Sequence, residues 1–206
     1  MPDALHFPEV VLVRHGETEW STAGKHTGRT NVPLTSRGRR QAEAIGTRLH
    51  GRRFSRVLAS PLDRAVETAR LSGYGDRADI SPDLLEWDYG DYEGRTTAEV
   101  RREVPGWSLW REGVPGGETG DDVGRRADRI IATIRLEGGD TLLFAHGHVL
   151  RVLAARWLGL PAAEGRLFKL DTATVSVLGW EREVAVITHW NDDSHLLGLM
   201  VDDDDR

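Results

Sequence analysis

The segment VLVRHG, Val11 to Gly16, leaves an apolar run and presents Arg14, His15 and Gly16 in succession. LLFAHGH repeats that grammar: an apolar run ends at Ala145, and His146, Gly147 and His148 follow. A third stretch, RVLASPLDRAVETA, places Arg64 shortly after another apolar run. Arginine pairs bidentately with phosphate oxygens and keeps its charge. A neutral imidazole is a nucleophile. Together these types describe an anion site in which His15 attacks phosphorus while Arg14, Arg64 and His146 offset charge on the equatorial oxygens. A leaving alkoxide needs a proton, and Glu86, following Leu84 and Leu85 in DLLEWDYGDYEG, is the carboxyl group suited to give it. Each residue alone has a plainer reading, as a surface or core histidine, a solvated arginine or a surface carboxylate. Their joint occurrence after apolar runs favours chemistry. His15, His146 and His148 could instead ligate zinc with carboxylates. Two fixed arginines would repel such a cation, and no HExxH or cysteine pair is present, so no metal is expected.

Positioning these groups requires apolar runs alternating with helical patterns, which predicts an α/β layered fold. Strands are expected at Glu9–Val13, Arg56–Ala59, Asp140–Ala145, Thr174–Gly179 and Val184–Thr188, with Ile80–Leu85 ambiguous. Thr35 and Ser36 can cap a helix with the apolar stripe Ala42, Ile45, Leu49. Ser60-Pro61 reads as an N-cap and first helical position for a helix running to about Leu71. A short helix is expected at Thr96–Glu103. Val123, Ala127, Ile130, Ile131 and Ile134 mark a long helix, and Val149 to Leu158 another. In open α/β sheets ligands bind beyond the carboxyl ends of strands, where helix N-termini also favour anions. That is where all three basic clusters fall.

The chain of 206 residues suits one domain with a sizeable core. With no cysteine there is neither a disulfide nor a thiolate site. The formal charge of −6 disfavours nucleic-acid binding. MPDALHFPEV has no signal-peptide pattern and no apolar stretch reaches a membrane span, so a cytoplasmic protein is expected. The ending VDDDDR, 201–206, reads as a disordered acidic tail.

RHGETEW with PLTSRGRRQA, SPLDRAVETA, LLEWDYGDYEG, PGGET and FAHGH occur in an order that resembles the histidine phosphatase superfamily, in its phosphoglycerate-mutase-like branch. The resemblance spans nearly the whole chain. It implies a three-layer α/β/α sandwich around a mostly parallel mixed sheet. It also implies a segment capping the site at about residues 87–117, a phosphohistidine on His15, and Arg14, Arg64 and His146 around the phosphate. Glu86 is implied as proton donor and acceptor, with Ser21, Thr27, Gly28 and Gly147 as further phosphate contacts. The family segment RHGxTxxN usually ends in asparagine; Ser21, standing there, would need a bridging water. Asn31 replaces the usual aspartate before PLT. No cofactor or metal is implied, and a homodimer is the common state of relatives. His148 is expected in packing or support.

Mutases of the family carry basic residues after the glutamate, whereas Asp88, Asp91 and Glu93 are acidic here. The expected activity is therefore a phosphomonoesterase acting on small phosphorylated metabolites. The alternatives are a cofactor-dependent phosphoglycerate mutase, for which Arg101, Arg102 and Arg111 could supply anion contacts, and a regulatory phosphatase acting on phosphoproteins. Trp107 and Trp110 lie in the capping segment, where packing is the default role.

Overall fold

The computed structural model describes residues 7–201. Its centre is one six-stranded sheet in the order β3-β2-β4-β1-β5-β6. The strands are β1 (Val10–Arg14), β2 (Arg56–Ala59), β3 (Ala78–Ile80), β4 (Thr141–Ala145), β5 (Val175–Glu181) and β6 (Val184–Asp192). β3, β2, β4 and β1 are mutually parallel, while β5 runs antiparallel to β1 and β6 antiparallel to β5. The helices are α1 (Glu19–Thr22), α2 (Ser36–Arg48), α3 (Asp63–Leu71), α4 (Thr97–Glu103), α5 (Leu109–Glu112), α6 (Gly120–Glu137), α7 (Gly147–Trp157) and α8 (Leu197–Val201). Residues 202–206 of the acidic tail lie outside the described residues, and Val201 closes α8.

The alternation of strand side chains builds two cores. Val10, Leu12, Leu143 and Leu178 face the layer of α6 and α7, meeting Val123, Ile130, Ile134, Leu150 and Trp157. Val11, Val13, Leu142, Phe144 and Val175 face the other layer, with Ile45 of α2, Leu49 just past its end and Ala69 of α3. Strands buried on both faces read as continuous apolar runs, which is why VVLV and TLLFA were legible.

β4 lies between β1 and β2, and all three are parallel. Their carboxyl ends therefore open on one edge side by side, bringing together residues distant in sequence.

Two local expectations change. The ambiguous stretch resolves into β3 at Ala78–Ile80 and a 3₁₀ turn at Pro82–Leu84. Ser60 does not cap α3: the N-cap is Leu62, without a side-chain cap bond, and the helix begins at Asp63. The Ser60 hydroxyl has another partner, described below. The segment carrying Trp107 and Trp110 contains α5, with Trp107 buried and its indole N–H donating to the Gly113 carbonyl at 2.9 Å. No helix among the described residues is long and apolar enough to cross a membrane.

Candidate active site

Where β1 ends, the His15 amide still donates to Ala145 O of β4 at 3.0 Å, so the side chain leaves from a fixed backbone. Its Nδ1 lies 2.7 Å from the Gly16 carbonyl, an acceptor only, so Nδ1 carries the proton and Nε2 keeps a lone pair. Gly16 is needed here because a Cβ would lie 2.4 Å from Gly38 O, at the start of α2. The Gly16 amide donates to Thr68 Oγ1 at 3.1 Å, closing the turn against α3.

Beneath His15 lies His146, with ring centroids 5.2 Å apart. Arg64 Nε donates to His146 Nδ1 at 3.1 Å, so the His146 proton is on Nε2, 2.7 Å from Ser60 Oγ. The other Arg64 nitrogens donate to the carbonyls of Thr30, Thr27 and Gly28 at 2.9 to 3.0 Å. Arg64 and His146 are both fully buried. Arg14 donates from Nη1 to Leu170 O at 2.6 Å, while its buried Nε has no protein partner. A Cβ on Gly147 would lie 3.3 Å from Arg14 Cζ, so the missing side chain lets the guanidinium lie against the start of α7.

Glu86 approaches from the loop after Pro82–Leu84. Its Oε1 accepts from the Trp87 and Val149 amides, both at 2.9 Å, and its Oε2 from the His148 amide at 3.0 Å. Two of these donors belong to the first turn of α7, whose dipole favours an acceptor there. A carboxylate offers about four acceptor sites, so one site on Oε2 remains. Arg126 fastens the same loop, donating to the carbonyls of Asp83 and Leu85 at 2.8 Å while paired with Glu118.

These groups meet at a cavity of about 240 Å³. Arg14, His15, Glu86 and Gly147 line it, with Ser21 and Thr27. Arg64 and His146 lie behind this lining, and Gly28 is absent from it. The Gly28 amide donates to both Glu93 oxygens at 2.9 and 3.0 Å, so it is not free to meet a phosphate. The Ser21 hydroxyl donates to the Thr18 carbonyl at 2.8 Å within the cap of α1. Arg101 is bound to the Trp107 carbonyl, Arg102 lies 4.0 Å from Glu99, and neither they nor Arg111 line the cavity. Neither do Trp107 and Trp110.

The sequence reading did not assign Lys25, His26, Tyr89, Thr97, Arg151 and Leu170 to the site, yet all line it. For Arg151 a signal existed: it follows Gly147 by four residues on a helix, hence on the same face. His148 lines the cavity too, its Nδ1 2.7 Å from the Tyr89 hydroxyl.

Burial, and then the charges of Arg64 and Arg14, push the His15 pKa well below the ordinary imidazole range. Burial followed by Arg64 does the same to His146, and burial followed by Arg151 to His148. Burial lowers His26 to about 4. All four rings are therefore neutral at pH 7. In the unfolded chain each protonates near pH 6.5. Below about 6.5 the unfolded state binds more protons than the folded state, so stability falls as the pH falls. The slope reaches about 1.4 kcal/mol per pH unit for each such histidine. A steady decline of Tm between pH 7 and pH 5 is expected by calorimetry, and a level Tm there would contradict neutral rings.

Residues 10–193 match the model of the histidine phosphatase superfamily, branch 1. An acid phosphatase of Mycobacterium tuberculosis is 42% identical over 185 residues, covering 86% of this chain and 91% of that protein. A probable phosphoglycerate mutase of Proteus mirabilis is 30% identical over 213 residues, covering 96% of this chain and 99% of its own. A solved structure of a functionally characterised open reading frame of Mycobacterium tuberculosis is 40% identical. It superposes with a TM-score of 0.85 over 89% of this chain and 97% of that one. The strand-end histidines, the arginines around them and these likenesses agree: the chain belongs to the histidine phosphatase superfamily and is a phosphatase of that family.

Proposed function

We propose that phosphomonoesters of small metabolites are hydrolysed in this cavity through a phosphoryl group carried on His15 Nε2. The observation that carries the reading is the state of His15: a neutral ring whose Nδ1–H is held by the Gly16 carbonyl, leaving Nε2 as the nucleophilic atom. In the first step the Nε2–phosphorus bond forms and the phosphorus–oxygen ester bond breaks. The departing alkoxide takes a proton from Glu86. The charge arising on the ring is stabilised through the Nδ1–H bond, and the unpaired Arg14 Nε–H points to a phosphoryl oxygen as its partner. In the second step Glu86 takes a proton from water, the water oxygen bonds to phosphorus, and the Nε2–phosphorus bond breaks. Inorganic phosphate leaves and Glu86 is again protonated.

Arg64 and His146 act from behind: the buried guanidinium fixes the neutral His146 ring and itself keeps positive potential beneath the phosphate. The segment at 87–117 would serve as the cap, with Trp107 as its packed anchor. Thr27 and Gly147 remain the small contacts facing substrate, and Gly28 holds the loop through Glu93.

The second reading, a mutase, is favoured by the likeness to the Proteus protein and by Lys25 and Arg151 on the lining. Against it, Arg101, Arg102 and Arg111 lie away from the cavity. A phosphate-release screen over phosphorylated metabolites, with His15→Ala as the blank, separates the two. Turnover with stoichiometric phosphate is expected. Interconversion of 2- and 3-phosphoglycerate with little release would establish the mutase.

A further inference from the structure

We propose that Arg151, held in place by Trp110, receives a second anionic group of the substrate, a carboxylate or a second phosphate, beside the phosphoryl group that is transferred. The inference rests on the phosphatase reading and narrows its substrate class.

Arg151 stands one turn beyond Gly147 on α7 and lines the same cavity as Arg14, His15 and Glu86. The transferred phosphoryl group already has Arg14 beside it and Arg64 behind. Arg151 is surplus to that need. It is also a half-buried cation with no carboxylate paired to it among the described residues. Of the other arginines on α6 and α7, Arg125 pairs with Asp122, Arg126 with Glu118, Arg129 with Asp83 and Arg156 with Asp128, while Arg135 lies over Trp157 and Trp180 and does not line the cavity. The charge of Glu86 acts on Arg151, but Glu86 is bound to three backbone amides, so a guanidinium facing the cavity without an ion pair points to a counter-charge brought by the ligand.

The side chain is pre-set. Arg151 Nε donates to Gly165 O at 3.1 Å and Nη2 to Arg166 O at 3.4 Å. Its guanidinium carbon lies 4.6 Å from the centre of the Trp110 ring, a cation–π distance. Trp110 is itself fixed, edge-on to Trp87 at 5.6 Å and 5.2 Å from His148. Gly165 makes room for it, since a Cβ there would lie 2.8 Å from the indole. Trp110 thus acts through Arg151 without lining the cavity. Lys25, exposed on the same lining, adds a second positive charge. The cavity, about 240 Å³, is below the usual range of ligand pockets of about 300–1,000 Å³.

The test compares matched pairs: 3-phosphoglycerate against glycerol 3-phosphate, and fructose 1,6-bisphosphate against fructose 1-phosphate. Wild type is expected to prefer the member with the extra anion in at least one pair, and the pair in which it does so identifies carboxylate or phosphate. Arg151→Gln is expected to lower that preference, as a ratio of kcat/KM, by about 10- to 100-fold and chiefly through KM. Trp110→Leu should lower the same ratio, and Trp110→Phe, which keeps an aromatic face, should retain it. A ratio unmoved by Arg151→Gln overturns the assignment of Arg151; equal losses for both members in Trp110→Leu overturn the positioning role. Turnover of p-nitrophenyl phosphate with no preference in either pair overturns the proposal while the phosphatase reading stands. Absence of His15-dependent release from all these compounds overturns that reading itself.

Discussion

Alanine in place of His15 is expected to reduce phosphate release by about 10⁴-fold or more, to the level of the reaction without enzyme. The size follows from the site. The other histidines described near it are engaged: His146 is bound at both ring nitrogens, by Arg64 and Ser60, and fully buried, and His26 Nε2 lies 3.4 Å from the Thr97 hydroxyl. His148 lines the cavity, but its Nδ1 is engaged by the Tyr89 hydroxyl. Arg14, Arg64 and Glu86 would remain in the variant, so phosphate should still bind while turnover is lost. The companion measurement is chemical. Wild type mixed briefly with a labelled phosphomonoester and quenched in alkali should hold an acid-labile phosphoryl group on His15, and the variant none. Residual activity within about tenfold of wild type would mean that water attacks directly, and the neutral His15 ring would need another purpose.

Glu86→Gln carries the second large effect, a fall in kcat/KM of about 10²–10⁴-fold for alkyl phosphates. The amide cannot give the proton an alkoxide requires. The loss should shrink sharply for p-nitrophenyl phosphate, whose phenolate departs without protonation. Measuring kcat/KM matters, because it stops at the step in which the leaving group departs; kcat would include the later attack by water, where Glu86 acts whatever the ester was. A structural cost accompanies the change. The glutamine nitrogen would meet at least one of the Trp87, Val149 and His148 amides, all donors. Tm should therefore be measured alongside. Equal losses for alkyl and nitrophenyl esters would remove Glu86 as proton donor and leave it only as an anchor for the start of α7.

The motif residues were legible in the sequence because their signal is local. A strand buried on both faces must be apolar throughout, so an Arg-His-Gly or His-Gly-His immediately after it stands out. That these ends meet also follows from sequence, once the strands are taken as parallel members of one sheet. Local grammar failed where a side chain had a better distant partner. Ser60-Pro61 reads as a helix start, yet the hydroxyl binds His146 and the helix waits until Asp63. Gly28 carries a family motif, but Glu93 takes its amide.

Sequence by itself determined which groups are available: an imidazole and permanent cations shortly after apolar strands, and a carboxyl group after Leu84 and Leu85, in the order of a known superfamily. Tertiary structure alone decided which of their atoms are free. It left Arg14 Nε unpaired, sank Arg64 and His146 behind the lining, and set Arg151 on the wall while Arg101, Arg102 and Arg111 turned elsewhere. The reason is that residue type and periodicity specify what a group can do and which face it takes. Occupied hydrogen-bond sites, burial and counter-charges depend on neighbours far away in the chain, such as Glu86 and Val149, 63 positions apart.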